Sequence, residues 1–255
     1  MSAPAAVLVG DWLRQYAPAR DGAPTLVVFP HAGGAAGYFA PLAKALAPEV
    51  RVLAVQYPGR LERRAEPVVP DLRELARQAL EELTQHRING PVAYFGHSMG
   101  SLVALEAALI GERGDGPVPH ALLVSGGRAP ALTRVDPALL RSDDALVEEV
   151  LRLGGTTRAV LENEDLRELA LPALRADYRA LGGYRPDPAD RVGCPVTVLV
   201  GDRDPLVSVA QARRWQDHAA GAFSFRVFPG DHFYLAPRLS EVAEAVCAAL
   251  AVRPV

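Results

Sequence analysis

One serine of the chain stands in a setting that could make it a nucleophile. Gly96-His97-Ser98-Met99-Gly100 fits the pattern G-x-S-x-G and lies between an apolar run, VAYFG, and a helical sequence, SLVALEAALI. A sharp strand-to-helix turn would lift the Ser98 hydroxyl above a sheet, and larger residues in place of the two glycines would collide with neighbouring backbone. The alternative is a tight turn in which the serine only caps a helix.

A serine hydroxyl is a weak nucleophile at neutral pH, so a base must lie beside it. His232 lies in the segment PGDHF, a loop after the last predicted strand, where the base of such a serine site is expected. His97 is expected to pack beside the serine, and His31 to fix its own loop by a hydrogen bond. The remaining histidines lie in polar stretches and are expected to be solvated: His86, His120 and His218.

A carboxylate must orient that base, and three aspartates compete for the role. The segment GDRDP, which follows the apolar run VTVLV, holds Asp202 and Asp204, whereas Asp231 adjoins His232. Neighbouring side chains of an extended segment point apart, which disfavours Asp231. Asp202 could instead accept hydrogen bonds from loop amides, as aspartates in turns often do. The residues alone favour Asp204 and leave Asp202 open.

The segment FPHAGG, residues 29–34, follows an early apolar run and could help to bind an oxyanion. In strand–turn–helix serine sites, one oxyanion N–H comes from the residue after the nucleophile and another from such an early loop. We therefore predict that the backbone amides of Ala32 and Met99 form the oxyanion hole. The alternative is a glycine-rich turn without a catalytic part.

Short apolar runs alternate with helical patterns and predict the sheet that would position these residues. The runs are residues 25–29, 51–55, 92–96, 121–125, 196–200 and 224–228. They are continuous rather than alternating, which is typical of a parallel sheet covered by helices on both faces. Pro70-Asp71 opens a helix with leucines at helical spacing, and a last helix is expected at residues 241–250. With the serine turn, this pattern predicts a single domain of the α/β-hydrolase fold over residues 1–255.

The alternation breaks between Ser125 and Val196, where the sequence is mainly helical. The span is longer than one crossover needs, so it predicts a helical insertion that forms a lid over a site at the strand ends. An ordinary run of crossover helices is the alternative.

Composition argues against several other classes of protein. The chain has 255 residues and a formal net charge of −3, without a block of like charges, which argues against nucleic acid as a ligand. Cys194 and Cys247 are far apart and form no C-x-x-C pair, so buried free thiols in a reducing compartment are expected. We expect a cytoplasmic protein without a membrane partner, because no signal peptide and no membrane-spanning apolar run is evident.

Five segments, taken together, resemble the type II thioesterase family over nearly the whole chain. They are FPHAGG at 29–34, QYPGR at 56–60, GHSMG at 96–100, GDRDPLVS at 201–208 and GDHFYL at 230–235. Leu61-Glu62 departs from the family, which often has more polar residues there. The resemblance implies a triad of Ser98, Asp204 and His232, and a helical lid at about residues 132–184.

Enzymes of this family stand alone beside polyketide or non-ribosomal peptide synthases, including those that make antibiotics. The resemblance implies hydrolysis of acyl or aminoacyl thioesters on the phosphopantetheine arm of an acyl or peptidyl carrier protein, which removes stalled chains. It implies no metal and no cofactor, and we expect a monomer. Because carrier proteins are acidic, Arg60, Arg63 and Arg64 are predicted to contact the carrier or its phosphate. A solvated basic loop is the alternative.

Three other functions fit part of the pattern. A general carboxylesterase or lipase would use the same triad, and matched ester and thioester substrates would separate the two. A malonyl-type acyltransferase also has a GHS-x-G serine but would not need Asp204. A non-catalytic interaction module on a hydrolase fold would leave Ser98 unreactive towards a fluorophosphonate.

Overall fold

A computed structural model describes residues 6–88, 90–155 and 164–252 of the protein. Its centre is an eight-stranded sheet in the order β1-β2-β4-β3-β5-β6-β7-β8. The strands are β1 Val7–Val9, β2 Leu13–Gln15, β3 Thr25–Phe29, β4 Arg51–Val55, β5 Val92–His97, β6 Ala121–Ser125, β7 Val196–Gly201 and β8 Phe223–Phe228. Only β2 pairs in the antiparallel sense, with β1 and with β4, so the predicted mostly parallel sheet is confirmed.

The predicted strands agree closely with the observed ones. Strands β3, β4 and β6 have the predicted bounds, and the others differ by one residue at one end. Strands β1 and β2 were missed because each is only three residues long. The apolar strand β1 (VLV) is largely exposed, and β2 (LRQ) has a single apolar residue. In the edge strand β8, residues 223–226 are alternately partly buried and exposed, because successive side chains point to opposite faces and Phe223 and Phe225 pack against the core.

Helices cover both faces of the sheet. They are α1 Ala40–Leu46, α2 Leu72–Gln85, α3 Met99–Glu112, α4 Asp143–Leu153, α5 Glu164–Gly183, α6 Val209–Arg213 and α7 Leu239–Ala249. Along β3, Val27 and Phe29 pack in one core with α2 and α3. Leu26 and Val28 pack in a second core with α1 and α7. Successive side chains of a strand point to opposite faces, so this alternation shows that each face has its own apolar layer.

Helix α2 starts where the sequence predicts it. The Asp71 side chain accepts a hydrogen bond from the Glu74 amide at 3.0 Å and thereby caps the helix. The four predicted leucines of its apolar face are all buried: Leu72, Leu75, Leu80 and Leu83. The last helix, α7, starts two residues before the predicted position.

Helices α4 and α5 lie between β6 and β7, in the segment predicted to be a lid. Short 3-10 turns at Pro130–Leu132 and Pro137–Leu140 precede them. Leu146 of α4 packs against Leu174 and Tyr178 of α5 in a small third core of their own. Residues 156–163 of the predicted lid lie outside the described residues. Near its C-terminal end α5 also joins the main core through Ala180, and Ala32 of the loop after β3 packs against the small core.

Two further predictions concern the cysteines and the histidines outside the site. Cys194 and Cys247 are free and buried, as expected. The predicted solvation of His218 is wrong: its Nδ1 atom lies 2.9 Å from the Asp190 carbonyl oxygen and its ring packs near buried Trp215. His86 and His120 are exposed.

Within the described ranges, every helix is too short or too polar to cross a membrane.

Candidate active site

Ser98 occupies the turn between β5 and α3 with a backbone conformation that few residues adopt. Its φ is 55° and its ψ is −119°, and its hydroxyl does not cap α3. A Cβ atom at Gly96 would lie 2.1 Å from the Gly100 carbonyl oxygen, and one at Gly100 would lie 2.0 Å from the Phe29 oxygen. The predicted need for both glycines is confirmed, and the helix-cap alternative for Ser98 is wrong.

A chain of two hydrogen bonds links Ser98 to a carboxylate through a histidine. The His232 Nε2 atom lies 2.9 Å from Ser98 Oγ, and its Nδ1 atom lies 2.8 Å from Asp204 Oδ2. The side chains of His232 and Asp204 are 1% and 0% exposed. The structure therefore brings together the three residues that the sequence singled out, in a geometry suited to removing the serine proton.

The other two aspartates of these loops have different partners. Asp202 Oδ1 accepts a hydrogen bond from the Gly230 amide at 2.9 Å, which is the loop-bracing role weighed for it from the sequence. Asp231 Oδ1 accepts from the Phe233 amide at 3.0 Å. Both aspartates are exposed, and neither contacts the His232 ring through a hydrogen bond.

Two backbone amides beside Ser98 remain available to a ligand. Ala32 and Met99 line the same cavity as Ser98 and His232. Their neighbours are engaged: the Gly33 amide donates to Asp177 at 2.8 Å and the Gly34 amide to the His31 carbonyl at 2.9 Å. Throughout residues 6–88, 90–155 and 164–252, the Ala32 and Met99 amides have no acceptor. Such free N–H groups can stabilise charge that develops on a carbonyl oxygen.

His31 fixes its loop by the packing of its ring and by its backbone carbonyl, which accepts the hydrogen bond from the Gly34 amide. The ring Nδ1 atom is buried and has no partner among the residues that the structure describes. The ring lies under Gly34, where a Cβ atom would come within 2.8 Å of it, and meets Tyr38 and Phe233 edge-on at centroid distances of 4.8 and 4.9 Å. Burial, with smaller effects of the nearby His232 and Arg60 charges, lowers the pKa of His31 to about 3, so the ring is neutral.

His97 packs beside the serine, as predicted, and begins a polar chain that the sequence did not reveal. Its Nδ1 atom lies 3.0 Å from Ser125 Oγ, which in turn lies 2.7 Å from the Tyr234 hydroxyl. Burial holds the pKa of His97 well below its usual range. The three residues come from separate segments of the chain, so no local pattern could have indicated this contact.

A cavity of about 520 Å³ opens beside Ser98. One wall holds Ser98, His232 and the loop after β3, and the opposite wall comes from the segment between β6 and β7. Its lining is mainly apolar and includes Leu102, Leu139, Val150, Leu153, Leu174 and Phe233. Arg128 and the ion pair of Arg152 with Glu149 add polar groups to it. A cavity of this size and character can hold an acyl chain next to the serine.

The predicted carrier contact is wrong for two of its three arginines, because they are buried and already paired. Arg60 forms an ion pair with Asp177 of α5. Arg63 donates to the Gln56 carbonyl oxygen at 2.7 Å and lies 4.6 Å from the centroid of the Trp12 ring. These two arginines therefore hold the loop after β4 in place.

Arg64, the third arginine, is exposed. Its side chain has no ion pair or hydrogen bond with any residue that the structure describes. It alone of the three fits the predicted contact.

Comparison with known sequences identifies the family to which the chain belongs. Residues 24–250 match the family described as "Thioesterase domain". The chain is 45% identical over 240 residues to the probable cadicidin biosynthesis thioesterase of Streptomyces griseus, covering 94% of this chain and 66% of that protein. It is 41% identical over 237 residues to thioesterase PikA5 of Streptomyces venezuelae, covering 93% of this chain and 84% of that one.

A solved structure shows the same similarity in three dimensions. The type II thioesterase BorB from the borrelidin biosynthetic cluster is 44% identical and superposes with a TM-score of 0.85. The match covers 94% of this chain and 97% of BorB, so nearly the whole architecture is shared.

Proposed function

The chain belongs to the thioesterase family of α/β-hydrolases, whose members act on thioesters, and on that premise we propose that it is a type II thioesterase using Ser98, His232 and Asp204. The observation that carries the proposal is the hydrogen-bonded chain from Ser98 through His232 to Asp204 beside an apolar cavity. Transfer of an acyl group to water requires a reactive serine beside a cavity that can bind the acyl chain.

The first half of the reaction forms an acyl-enzyme. His232 Nε2 takes the hydroxyl proton as Ser98 Oγ attacks the thioester carbonyl carbon. The Ala32 and Met99 amides donate to the oxyanion, and the C–S bond then breaks as the protonated His232 supplies a proton to the departing thiolate. Asp204 keeps the Nδ1 proton in place and stabilises the imidazolium that forms.

The second half returns the enzyme to its starting state. His232 removes a proton from water as the water attacks the acyl carbon, and the same two amides hold the new oxyanion. The bond between the acyl carbon and Ser98 Oγ then breaks, His232 returns the proton to Oγ, and a free carboxylic acid leaves. The scheme uses only side chains and backbone of this chain.

The substrate is an acyl or aminoacyl group on the phosphopantetheine arm of a carrier protein, and the reaction removes stalled or misloaded chains from a polyketide or non-ribosomal peptide synthase. Three relatives support this class, named for cadicidin biosynthesis, PikA5 and the borrelidin cluster. The segment of residues 132–184 serves as the lid of the acyl cavity, and exposed Arg64 contacts the acidic carrier. We expect the enzyme to work as a monomer in the cytoplasm.

Hydrolysis of an acyl group loaded on a phosphopantetheinyl carrier protein tests the proposal. Ser98→Ala should abolish release that the wild type performs well above its rate on a matched oxygen ester. Ser101→Ala is the matched control, because this nearby hydroxyl donates to the Gly96 carbonyl at 2.9 Å and should be dispensable for turnover. Ser98-dependent cleavage of simple esters without release from several carriers would favour a general carboxylesterase instead.

A further inference from the structure

The loop that carries the Ala32 amide is attached to helix α5. The next amide along, that of Gly33, donates to Oδ2 of Asp177 at 2.8 Å. Gly33 has a φ of +70°, and a Cβ atom there would lie 2.9 Å from Cδ1 of Leu174, one turn earlier on the same helix. The loop therefore touches α5 through both a polar and an apolar contact.

The Asp177 carboxylate is buried and held by a charge. Its side chain is 3% exposed and that of its partner Arg60 is 7% exposed. The same oxygen, Oδ2, accepts from the Arg60 guanidinium and from the Gly33 amide. Arg60 also lies 5.0 Å from the centroid of the Tyr57 ring, and the Tyr57 hydroxyl donates to the Pro30 carbonyl at 3.5 Å. The Asp177–Arg60 pair thus supports residues 30–33 from two directions.

A stabilising role explains this arrangement poorly. A buried ion pair usually contributes little more to stability than apolar side chains of similar volume would. What apolar side chains could not supply is an acceptor for the Gly33 amide. That acceptor fixes the peptide plane between Ala32 and Gly33. The bond from the Gly34 amide to the His31 carbonyl fixes the plane before it, which carries the Ala32 N–H, so the two bonds together restrain the direction of that N–H.

We propose that Asp177 is a positioning residue for the oxyanion hole: its carboxylate, anchored by Arg60, holds the Gly33 amide so that the Ala32 N–H faces the reacting carbonyl. Of three consecutive amides, Gly33 is bound by Asp177 and Gly34 by the His31 carbonyl, which leaves Ala32 for the substrate. Asp177 lies on α5, the helix that covers the cavity. The oxyanion hole is therefore complete only when α5 is packed in this position. This inference rests on the proposed function.

Two double variants separate the effect of the hydrogen-bond acceptor for the Gly33 amide from the effect of the Arg60–Asp177 ion pair. Arg60→Met/Asp177→Leu removes the ion pair and the acceptor together, whereas Arg60→Met/Asp177→Asn removes the ion pair and keeps an amide oxygen for Gly33. If the leucine variant fails to fold, Arg60→Met/Asp177→Ala lacks the same acceptor and takes its place. Glu106→Gln is the matched control, since Glu106 is a buried carboxylate that pairs with Arg73 and accepts from Tyr184, away from the loop.

The readouts are kcat and KM for a thioester, the melting temperature, and the affinity for an alkyl boronic acid, whose tetrahedral serine adduct needs the oxyanion hole. The leucine variant should lose about 10- to 100-fold in kcat and in boronate affinity with KM nearly unchanged, because a misdirected oxyanion donor acts on the transition state. The asparagine variant should stay within about fivefold of the wild type on the same reasoning. Glu106→Gln should lower the melting temperature and leave boronate affinity unchanged.

Wild-type kcat and boronate affinity in the leucine or alanine variant would overturn the inference. Equal losses of kcat and boronate affinity in the leucine variant, the asparagine variant and Glu106→Gln would also overturn it, because a general structural role would then explain the result. If thioester hydrolysis by the wild type did not depend on Ser98, the proposed function itself would fail, and that result is read from Ser98→Ala alone.

Discussion

Asp204 holds His232 with one carboxylate oxygen while the backbone holds the other. Oδ2 lies 2.8 Å from His232 Nδ1, and Oδ1 accepts from the Leu206 and Val207 amides at 2.8 and 3.1 Å. The carboxylate cannot rotate without losing those two bonds. It therefore requires a proton on Nδ1 and leaves Nε2, 2.9 Å from Ser98 Oγ, as the acceptor for the serine proton.

Asp204→Asn should reverse that arrangement and abolish most of the activity. The amide oxygen of the asparagine would stay on the Leu206 and Val207 amides, so its NH2 group would face Nδ1. The imidazole would then carry its proton on Nε2 and could not accept one from Ser98. We expect kcat to fall by about 10³- to 10⁴-fold with little change in folding, by analogy with the same change in other serine triads. Steady-state thioester hydrolysis and a melting curve measure both.

Asp202→Asn is the control for that substitution. The exposed Asp202 accepts from the Gly230 amide, and an asparagine oxygen can do the same, so its kcat should stay within about twofold. An Asp204→Asn enzyme with nearly normal turnover would contradict the triad and point to an acyltransferase-like serine site. Equal losses in both variants would show that loop integrity, and not histidine orientation, is being measured.

Features that depend on neighbouring residues could be predicted from the sequence. The Ser98 turn could, because the glycines at 96 and 100 are required by backbone atoms within the same strand–turn–helix unit and the strand beside it. The capped start of α2 at Asp71 is equally local. Strands β3, β4 and β6 were predictable since a strand buried on both faces must be a continuous apolar run.

Features that depend on distant partners could not be predicted. Arg60 looked like a surface cation, and its partner Asp177 is 117 residues away on a different helix. His218 sits in a polar stretch, yet Trp215 beside it is fully buried and draws the segment inward. Burial of a charged or polar residue is decided by the partner that tertiary structure supplies, and one sequence does not reveal that partner.

Arg64→Glu should weaken carrier recognition without harming chemistry. Arg64 is exposed, and its side chain is unpaired within the described part of the chain, so its charge is available to an acidic carrier. We expect KM for the carrier-linked acyl group to rise by about fivefold, more at low salt, because an exposed interface charge mainly affects association. Turnover of a small soluble thioester should be unchanged.

Arg63→Glu provides the comparison, because the two arginines are adjacent and differ in burial. Loss of the Gln56 bond and of the contact with Trp12 should destabilise the fold by about 3 kcal/mol or more, since a buried cation is replaced by a buried anion beside Glu66. Urea unfolding measures that loss. Unchanged carrier-linked turnover in Arg64→Glu at several salt concentrations would exclude this loop from the carrier contact.

His31 should make the protein less stable in acid. Its pKa is lowered from 6.5 to about 3 in the folded chain, chiefly by burial, so the folded state keeps the ring neutral where the unfolded state takes up a proton. The unfolded state binds more protons between these two values, and the free energy of unfolding therefore falls as the pH drops through that window. Between pH 7 and pH 5 this histidine lowers the free energy of unfolding by up to about 2 kcal/mol, because each pH unit below 6.5 contributes about 1.36 kcal/mol.

His31→Phe should remove that part of the acid sensitivity, because a phenyl ring can pack on Gly34 and cannot be protonated. Urea unfolding at pH 7 and pH 5 gives the drop in the free energy of unfolding between the two pH values. That drop should be smaller in the variant than in the wild type, by up to about 2 kcal/mol. The exposed His120 offers the matched control, and His120→Phe should leave the wild-type difference in place. Equal differences in wild type and His31→Phe would mean that the His31 ring is protonated without unfolding, and that the packing of residues 31–34 tolerates a charge beside His232.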